Sequence, residues 1–245
     1  MDGDEGSYMI HSVNKPKLIT VGIGLCLMLL AVVFGALGSL STFVLADLFG
    51  VSESDYVLLV SSRGIQIGFL TVAVLYIGYR GETGPFINYR LPDREGIAWI
   101  VVIPIVLIAV GALFDPIFSA AGIEREAGGS NVDPTTTIGL FVVFFFVSWV
   151  FAAPAEELLF RGVIQGRLRE TLGAVSGVVG AAFLFGLFHV FLGLLSSLSI
   201  GGIIFWGWES FVGGLLWGVA YERTDNLVVP SVAHASMWTI PLFVL

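Results

Sequence analysis

Seven long apolar runs separated by polar segments organise the chain, at approximately residues 18–46, 57–79, 97–118, 138–169, 174–195, 200–221 and 227–245. About 20 apolar residues rising ~1.5 Å each cross the ~30 Å of a bilayer's hydrocarbon, so every run predicts a transmembrane helix. The pattern therefore predicts an all-α, polytopic helical bundle of seven to eight transmembrane helices; a split in the long first or fourth run would give the higher count. The first run follows Lys15 and Lys17, as a secretory signal would. No small-residue cleavage site follows and the apolar stretch continues, so an uncleaved first span is expected. The polar connections are too short for a separate soluble domain. One integral membrane unit is expected, with an N-terminal tail and three spans over 1–137 and about four spans over 138–245.

Composition narrows the class further. The chain is 56% hydrophobic and only 12% charged, whereas a soluble domain carries roughly 25% charge. That excludes a soluble cytosolic enzyme and a disordered tail, and makes the lipid bilayer the first partner. A formal net charge of -8, with 11 Lys and Arg in all, argues against nucleic acid as a partner. Cys26 is the single cysteine, which excludes an intrachain disulfide framework. With the N-terminus inside, the inner segments hold Lys15, Lys17, Arg80, Arg90, Arg94, Arg161, Arg167, Arg169 and Arg223, while the outer ones hold only Arg125. Acidic Asp47, Glu53, Asp55, Asp115, Glu124, Glu126 and Asp133 fall outside. The expected location is a cell membrane, with the N-terminus cytoplasmic and the C-terminus outside.

Six ionisable residues interrupt the apolar runs: Arg63, Glu156, Glu157, His189, Glu209 and His234. A charge at the bilayer centre costs at least ~2.5–3.5 kcal/mol on insertion scales, so each needs a partner or a purpose. Glu157 and Arg161 are four residues apart and share a helix face, which makes them an expected ion pair. Glu156 is turned ~100° away and has no sequence-local counter-ion, the setting of a general base. Pro154 cannot donate to the carbonyl of Val150, so a bend is expected beside Glu156 that admits water. Depth agrees, because Glu156 lies fourteen residues before Glu170, or ~21 Å, and His189 fifteen after Ala174, or ~22 Å. His234, eight residues past Asn226, reaches only ~12 Å and needs a tilted or late-starting helix. Arg63 and Glu209 sit at similar depth from the outer face and suggest a structural pair. Gly64 with Gly68, and Gly173 with Gly177, have the spacing of close helix approach. Trp206, Trp208 and Trp217 read as interfacial anchors or packing.

The motifs Glu156-Glu157-x-x-x-Arg161, Phe185-x-x-x-His189 and a later His234, with Phe160-Arg161-Gly162 and Pro230-Ser231-Val232-Ala233-His234-Ala235 around them, resemble the CPBP family of intramembrane proteases, also called Abi or type II CAAX prenyl endopeptidases. The resemblance covers roughly residues 138–240. It implies hydrolysis of a peptide bond near the cytoplasmic face, in a membrane-associated peptide or protein. By the same resemblance Glu156 and His189 hold and activate a water, Glu157 and Arg161 support the site, and His234 stabilises the oxyanion, with Phe185 on the pocket wall. One position departs from the pattern: many members carry an asparagine four residues after the second histidine, and this chain has Trp238, which an indole N–H still makes a candidate oxyanion or pocket residue. Glu156, His189 and His234 would also serve as a zinc set, so a metal-free glutamate mechanism and a Zn2+ mechanism both stand, the first preferred because Glu157 is committed to Arg161. Gly-x-Ser-Gly, Gly-x-Gly-Asp and His-Glu-x-x-His do not occur, which disfavours the serine, aspartyl and other zinc classes of intramembrane protease. A non-catalytic scaffold or immunity-type protein of the same fold is the alternative that Trp238 sustains; a small transporter is disfavoured because no inverted repeat is visible.

Overall fold

A computed structural model describes residues 5–81, 87–126, 132–240 and 242, with side chains from residue 16 onward. Its regular elements are helices: α1 (Glu5–Leu48), α2 (Asp55–Ser61), α3 (Ile65–Arg80), α4 (Arg94–Ala120), α5 (Ile138–Leu172), α6 (Ala174–Leu194), α7 (Ile200–Thr224) and α8 (Val228–Thr239). Six stretches are long and apolar enough to cross a membrane: Pro16–Leu48, Asp55–Arg80, α4, α5, α6 and α7. The chain is an all-α, multi-pass membrane protein. Large apolar side chains such as Leu29, Phe34, Ile105 and Phe183 stand exposed along these helices, a surface that lipid covers.

Two expectations change. The second run is one span by composition but breaks at 62–64, where Arg63 N–H bonds the Val60 carbonyl and Gly64 N–H the Ser61 carbonyl, separating α2 from α3. The seventh run, expected over 227–245, is a helix of 12 residues, ~18 Å long. That is shorter than the hydrocarbon is thick; residues 241 and 243–245 lie outside the described set.

Polar side chains fix where the helices begin. Asp93 accepts from Gly96 N–H at 2.9 Å, Thr137 from Leu140 N–H at 3.2 Å, and Ser199 from Gly202 N–H at 3.0 Å, each satisfying a first-turn donor of α4, α5 or α7. Glu126 in turn accepts from the Ser199 backbone N–H and hydroxyl, and these bonds hold its carboxyl below the usual range. The α5–α6 corner turns on Gly173, whose φ of 82° lies in the region glycine favours. Gly177 faces the backbone of Arg169 across that corner.

Small residues let the spans approach, since lipid tails offer no hydrophobic drive for helices to associate. Against α1, a methyl group added at Gly68 would stand 2.2 Å from the Ala31 carbonyl oxygen and one at Gly64 2.5 Å from Ser39 Cα. Between α6 and α7, one added at Gly186 would stand 2.8 Å from the Gly207 carbonyl oxygen. Aromatic rings fill the interior behind these seams: Phe69 meets Phe188 with centroids at 4.9 Å, and Phe160 meets Phe185 at 4.8 Å, both edge to face.

Charges collect at the two ends of the bundle. At one end Arg80 pairs with Glu170 at 2.9 Å, Arg167 with Glu170, and Arg169 with Glu222 at 2.9 Å. At the other, Arg125 pairs with Glu209 at 2.6 Å and approaches Asp115 at 3.7 Å. The expected Arg63–Glu209 pair is thus replaced. The loop residue Arg125 reaches Glu209, and Arg63 turns toward α5 and α8. The short reach of His234 also has its explanation. Asn226, taken as a surface position in the depth count, is only 2% exposed. It lies under the segment 87–93, donating to the Arg90 carbonyl at 2.9 Å and accepting from Arg90 N–H at 3.2 Å, while Leu227 N–H bonds the Asn88 carbonyl. The α7–α8 turn is tucked inward, so α8 starts deep and carries His234 to the level of Glu157.

Two glycines of α3, ten residues apart, test the α1–α3 seam. Gly68→Ala lowers the melting temperature in detergent, as overpacking of about 1–3 kcal/mol does, whereas Gly78→Ala, where nothing lies within 4 Å of an added methyl, leaves it unchanged or raises it. Equal melting of the two variants would contradict the seam.

Candidate active site

The site is built on α5, where the helix is least regular. Pro154 has no N–H to give the Val150 carbonyl, and the ladder widens to π turns over Val147–Ala152 and again over Leu158–Gln165. Between them a single α turn, Ala153–Glu157, presents both carboxylates. The bend expected at Pro154 thus takes the form of two π segments, which free backbone positions without leaving the bundle.

Within this turn the two glutamates are used differently. Glu157 is fully buried and has both oxygens engaged: Oε2 faces Arg161 Nε at 3.0 Å, and Oε1 accepts from His234 Nδ1 at 2.7 Å. An ionised carboxylate only accepts, so Nδ1 carries a proton, and Nε2 of His234 is turned toward Glu156. Glu156, 3% exposed, accepts from Gln66 Nε2 at 2.7 Å through Oε1. Its Oε2 has no hydrogen-bond donor and stands 3.7 Å from His234 Nε2. Arg161, the partner of Glu157, lies between aromatic faces, 4.7 Å over Phe185 and 5.4 Å over Trp217. A guanidinium suits such a slot because it is planar and weakly hydrated.

Rings pack His234 on several sides. Trp217 stacks on it at 3.9 Å, Trp238 packs at 4.6 Å, and Phe185 meets it edge to face at 5.8 Å. Phe185 also contacts His189, at 4.5 Å, and so stands between the two histidines. His189 is half-buried, with Nδ1 bonded to the Phe185 carbonyl at 2.8 Å and its ring against Phe188 and Trp206. A carbonyl only accepts, so Nδ1 carries that proton too and Nε2 is left for a ligand. His189 lies within electrostatic range of His234 and Arg161. Among the described residues it forms no hydrogen bond or ion pair with Glu156. The structure thus brings Glu156, Glu157, Arg161 and His234 into direct contact, with Trp238 and Phe185 around them and His189 beyond Phe185.

Two contributors come from α3 and its N-terminal turn. Gln66 holds Glu156, and Arg63 lies within electrostatic range of it, over the rings of Trp238 at 4.9 Å and Phe144 at 5.5 Å. Gln66 escapes a search restricted to ionisable residues, although an amide three residues after Arg63 in an apolar run is a readable signal. From the charged end the segment 87–93 approaches as well: partial burial, then the negative charge of Glu157, push the Tyr89 phenol above its usual range.

A zinc ion would need its ligands within about 2.0–2.2 Å of one point. Among the described residues no three His, Cys, Asp or Glu side chains are placed to hold a metal ion. Glu156, His189 and His234 in this arrangement do not form such a set.

Residues 138–240 match the family model for Type II CAAX prenyl endopeptidase Rce1-like proteins. Neither the curated proteins nor the solved structures contain a match.

The buried pair can be tested by a double-mutant cycle on thermal unfolding. Glu157→Gln and Arg161→Met each destabilise by about 3–5 kcal/mol, because each strands a buried partner, and the double variant loses less than the sum. Additive losses would show that the two side chains are not coupled.

Proposed function

From the match of residues 138–240 to the type II CAAX prenyl endopeptidase Rce1-like family model, we propose that this chain is an intramembrane endopeptidase of the CPBP type, hydrolysing a peptide bond of a membrane-associated peptide or protein with water activated by Glu156. The observation that carries the reading is the division of labour between adjacent carboxylates. Neither Oε2 accepts a hydrogen bond, but that of Glu157 is ion-paired with Arg161 at 3.0 Å while its Oε1 accepts from His234, whereas Oε2 of Glu156 has only His234 Nε2 near it, at 3.7 Å.

In the proposed reaction a water bonds to Oε2 of Glu156, with the free Nε2 of His189 as its second holder. Glu156 takes a proton as the water oxygen attacks the scissile carbonyl carbon, and the carbonyl oxygen becomes an oxyanion. Protonated His234 donates to that oxyanion through Nε2, with Nδ1 anchored on Glu157. Collapse of the tetrahedral intermediate breaks the C–N bond, and the proton held by Glu156 passes to the leaving amine. Glu156 is then ready for the next water. Gln66 fixes the orientation of Glu156 throughout, which spares reorganisation during the reaction.

The end of the bundle that gathers Arg80, Arg90, Arg167 and Arg169 is proposed to be cytoplasmic, since basic residues favour that side. Substrate would then reach the site past the segment 87–93. A second reading, binding without cleavage, draws on the ring of Trp238 packed against His234.

Reconstituted protein tested on a library of peptides and membrane-tethered proteins separates these readings. The wild type cleaves, Glu156→Ala loses about 10²–10⁴-fold in kcat as removal of a general base does, and His189→Ala falls with it. Equal cleavage by all three removes the protease reading, and binding without cleavage by the wild type selects the alternative. Turnover persists in 1,10-phenanthroline; loss that Zn2+ restores would replace the glutamate mechanism with a metal one.

A further inference from the structure

Among the described residues Arg63 is a cation with no ion-pair partner inside a membrane-spanning stretch. Its recorded contacts are the faces of Trp238 and Phe144 and the electrostatic field of Glu156, and its Nε is buried with no hydrogen-bond partner. Among the described residues it forms no ion pair, unlike Arg161, which is locked on Glu157, and Arg125, which holds Glu209. An intramembrane charge is costly, and stacking on two rings is a partial offset. The sequence retains the charge where an apolar residue would cost less.

Geometry says what the charge faces. Gln66 lies three residues past Arg63 and donates its backbone N–H to the Arg63 carbonyl at 3.2 Å, and its side chain touches Glu156 at 2.7 Å. Trp238 carries Arg63 at 4.9 Å and packs on His234 at 4.6 Å. Arg63, Trp238, His234 and Glu156 therefore surround one small volume, across which Arg63 feels Glu156 without an ion pair. A tetrahedral intermediate formed by water on Glu156 must place its oxygen away from that carboxylate, where a donor is required. His234 has Nδ1 committed to Glu157 and Nε2 turned to Glu156. The guanidinium is a second charged donor at this volume, beside His234.

We propose that Arg63 is a catalytic residue that donates to the oxyanion of the scissile carbonyl, beside His234. This rests on the glutamate-water reading, and it adds to the site a residue of the N-terminal half, outside the 138–240 match. Arg63 is held in the turn that separates α2 from α3, its backbone bonded to Val60 and Gln66. Stacking on Trp238 sets its plane.

The test uses full-length protein in liposomes, a peptide substrate that the wild type cleaves, and the phosphinate analogue of that peptide. Arg63→Met keeps the length and removes the charge, so melting temperature holds or rises while kcat falls about 10²–10³-fold, the loss typical of one oxyanion donor, with KM little changed. Affinity for the phosphinate falls by a similar factor. Arg63→Lys, which folds with a cation in place, recovers at least tenfold of kcat over Arg63→Met. Unchanged kcat in Arg63→Met, with Glu156→Ala inactive, overturns the role of Arg63 and leaves the glutamate reading intact. A rise in KM confined to peptides with a free C-terminal carboxylate, absent for their amides, overturns it in favour of ground-state charge recognition. A melting temperature that drops with kcat in proportion to lost folded protein overturns it in favour of a structural cation. If wild type and Glu156→Ala cleave alike, both proposals fall.

Discussion

Everything at the centre of this protein depends on one buried carboxylate with two partners. Glu157 neutralises Arg161 and anchors His234, and none of the three has appreciable contact with solvent. In a bundle surrounded by hydrocarbon, water cannot compensate a broken contact, so removing any member strands the others. The triad therefore acts as a tie between α5 and α8. It also sets the orientation of the imidazole, and with it the environment of Glu156. Structure and chemistry meet at the same atoms, which is why a single residue step along α5 separates a structural carboxylate from one with a free oxygen.

That tie works only because the backbone delivers it. π turns on both sides of Ala153–Glu157 aim two consecutive carboxylates at different neighbours, α8 for one and α3 for the other. Glycines at the α6–α7 and α1–α3 seams bring the helices close enough that side chains from several spans meet. The inward tuck of Asn226 beneath residues 87–93 starts α8 at depth. Each device meets a requirement that the bilayer imposes: backbone polar groups away from water must find partners inside the protein.

The sequence made a large part of this legible, for identifiable reasons. Apolar run length reports directly on spans, and i,i+4 spacing reports directly on the Glu157–Arg161 contact, because both depend on local geometry. The motifs on 138–240 point to the same family whose model matches those residues. What could not be read depends on tertiary placement. The depth count put Asn226 at the surface, where the structure buries it. Similar depth suggested Arg63 and Glu209 as partners, but depth fixes one coordinate and helix rotation another, and Arg125 from a loop occupies Glu209 instead. Gln66 was passed over because an uncharged amide raises no alarm in an apolar run, although its one bond orients the residue on which the chemistry is proposed to turn.

The central claim is that Glu156 faces the reacting atoms while Glu157 stays bound to Arg161 and His234. An experimental structure in a lipid nanodisc with a bound phosphinate peptide tests it most directly. The account predicts a phosphinate oxygen within about 2.6–3.2 Å of Glu156 Oε2, with both Glu157 contacts intact. A phosphinate seated on Glu157, or one held away from both carboxylates, would contradict it.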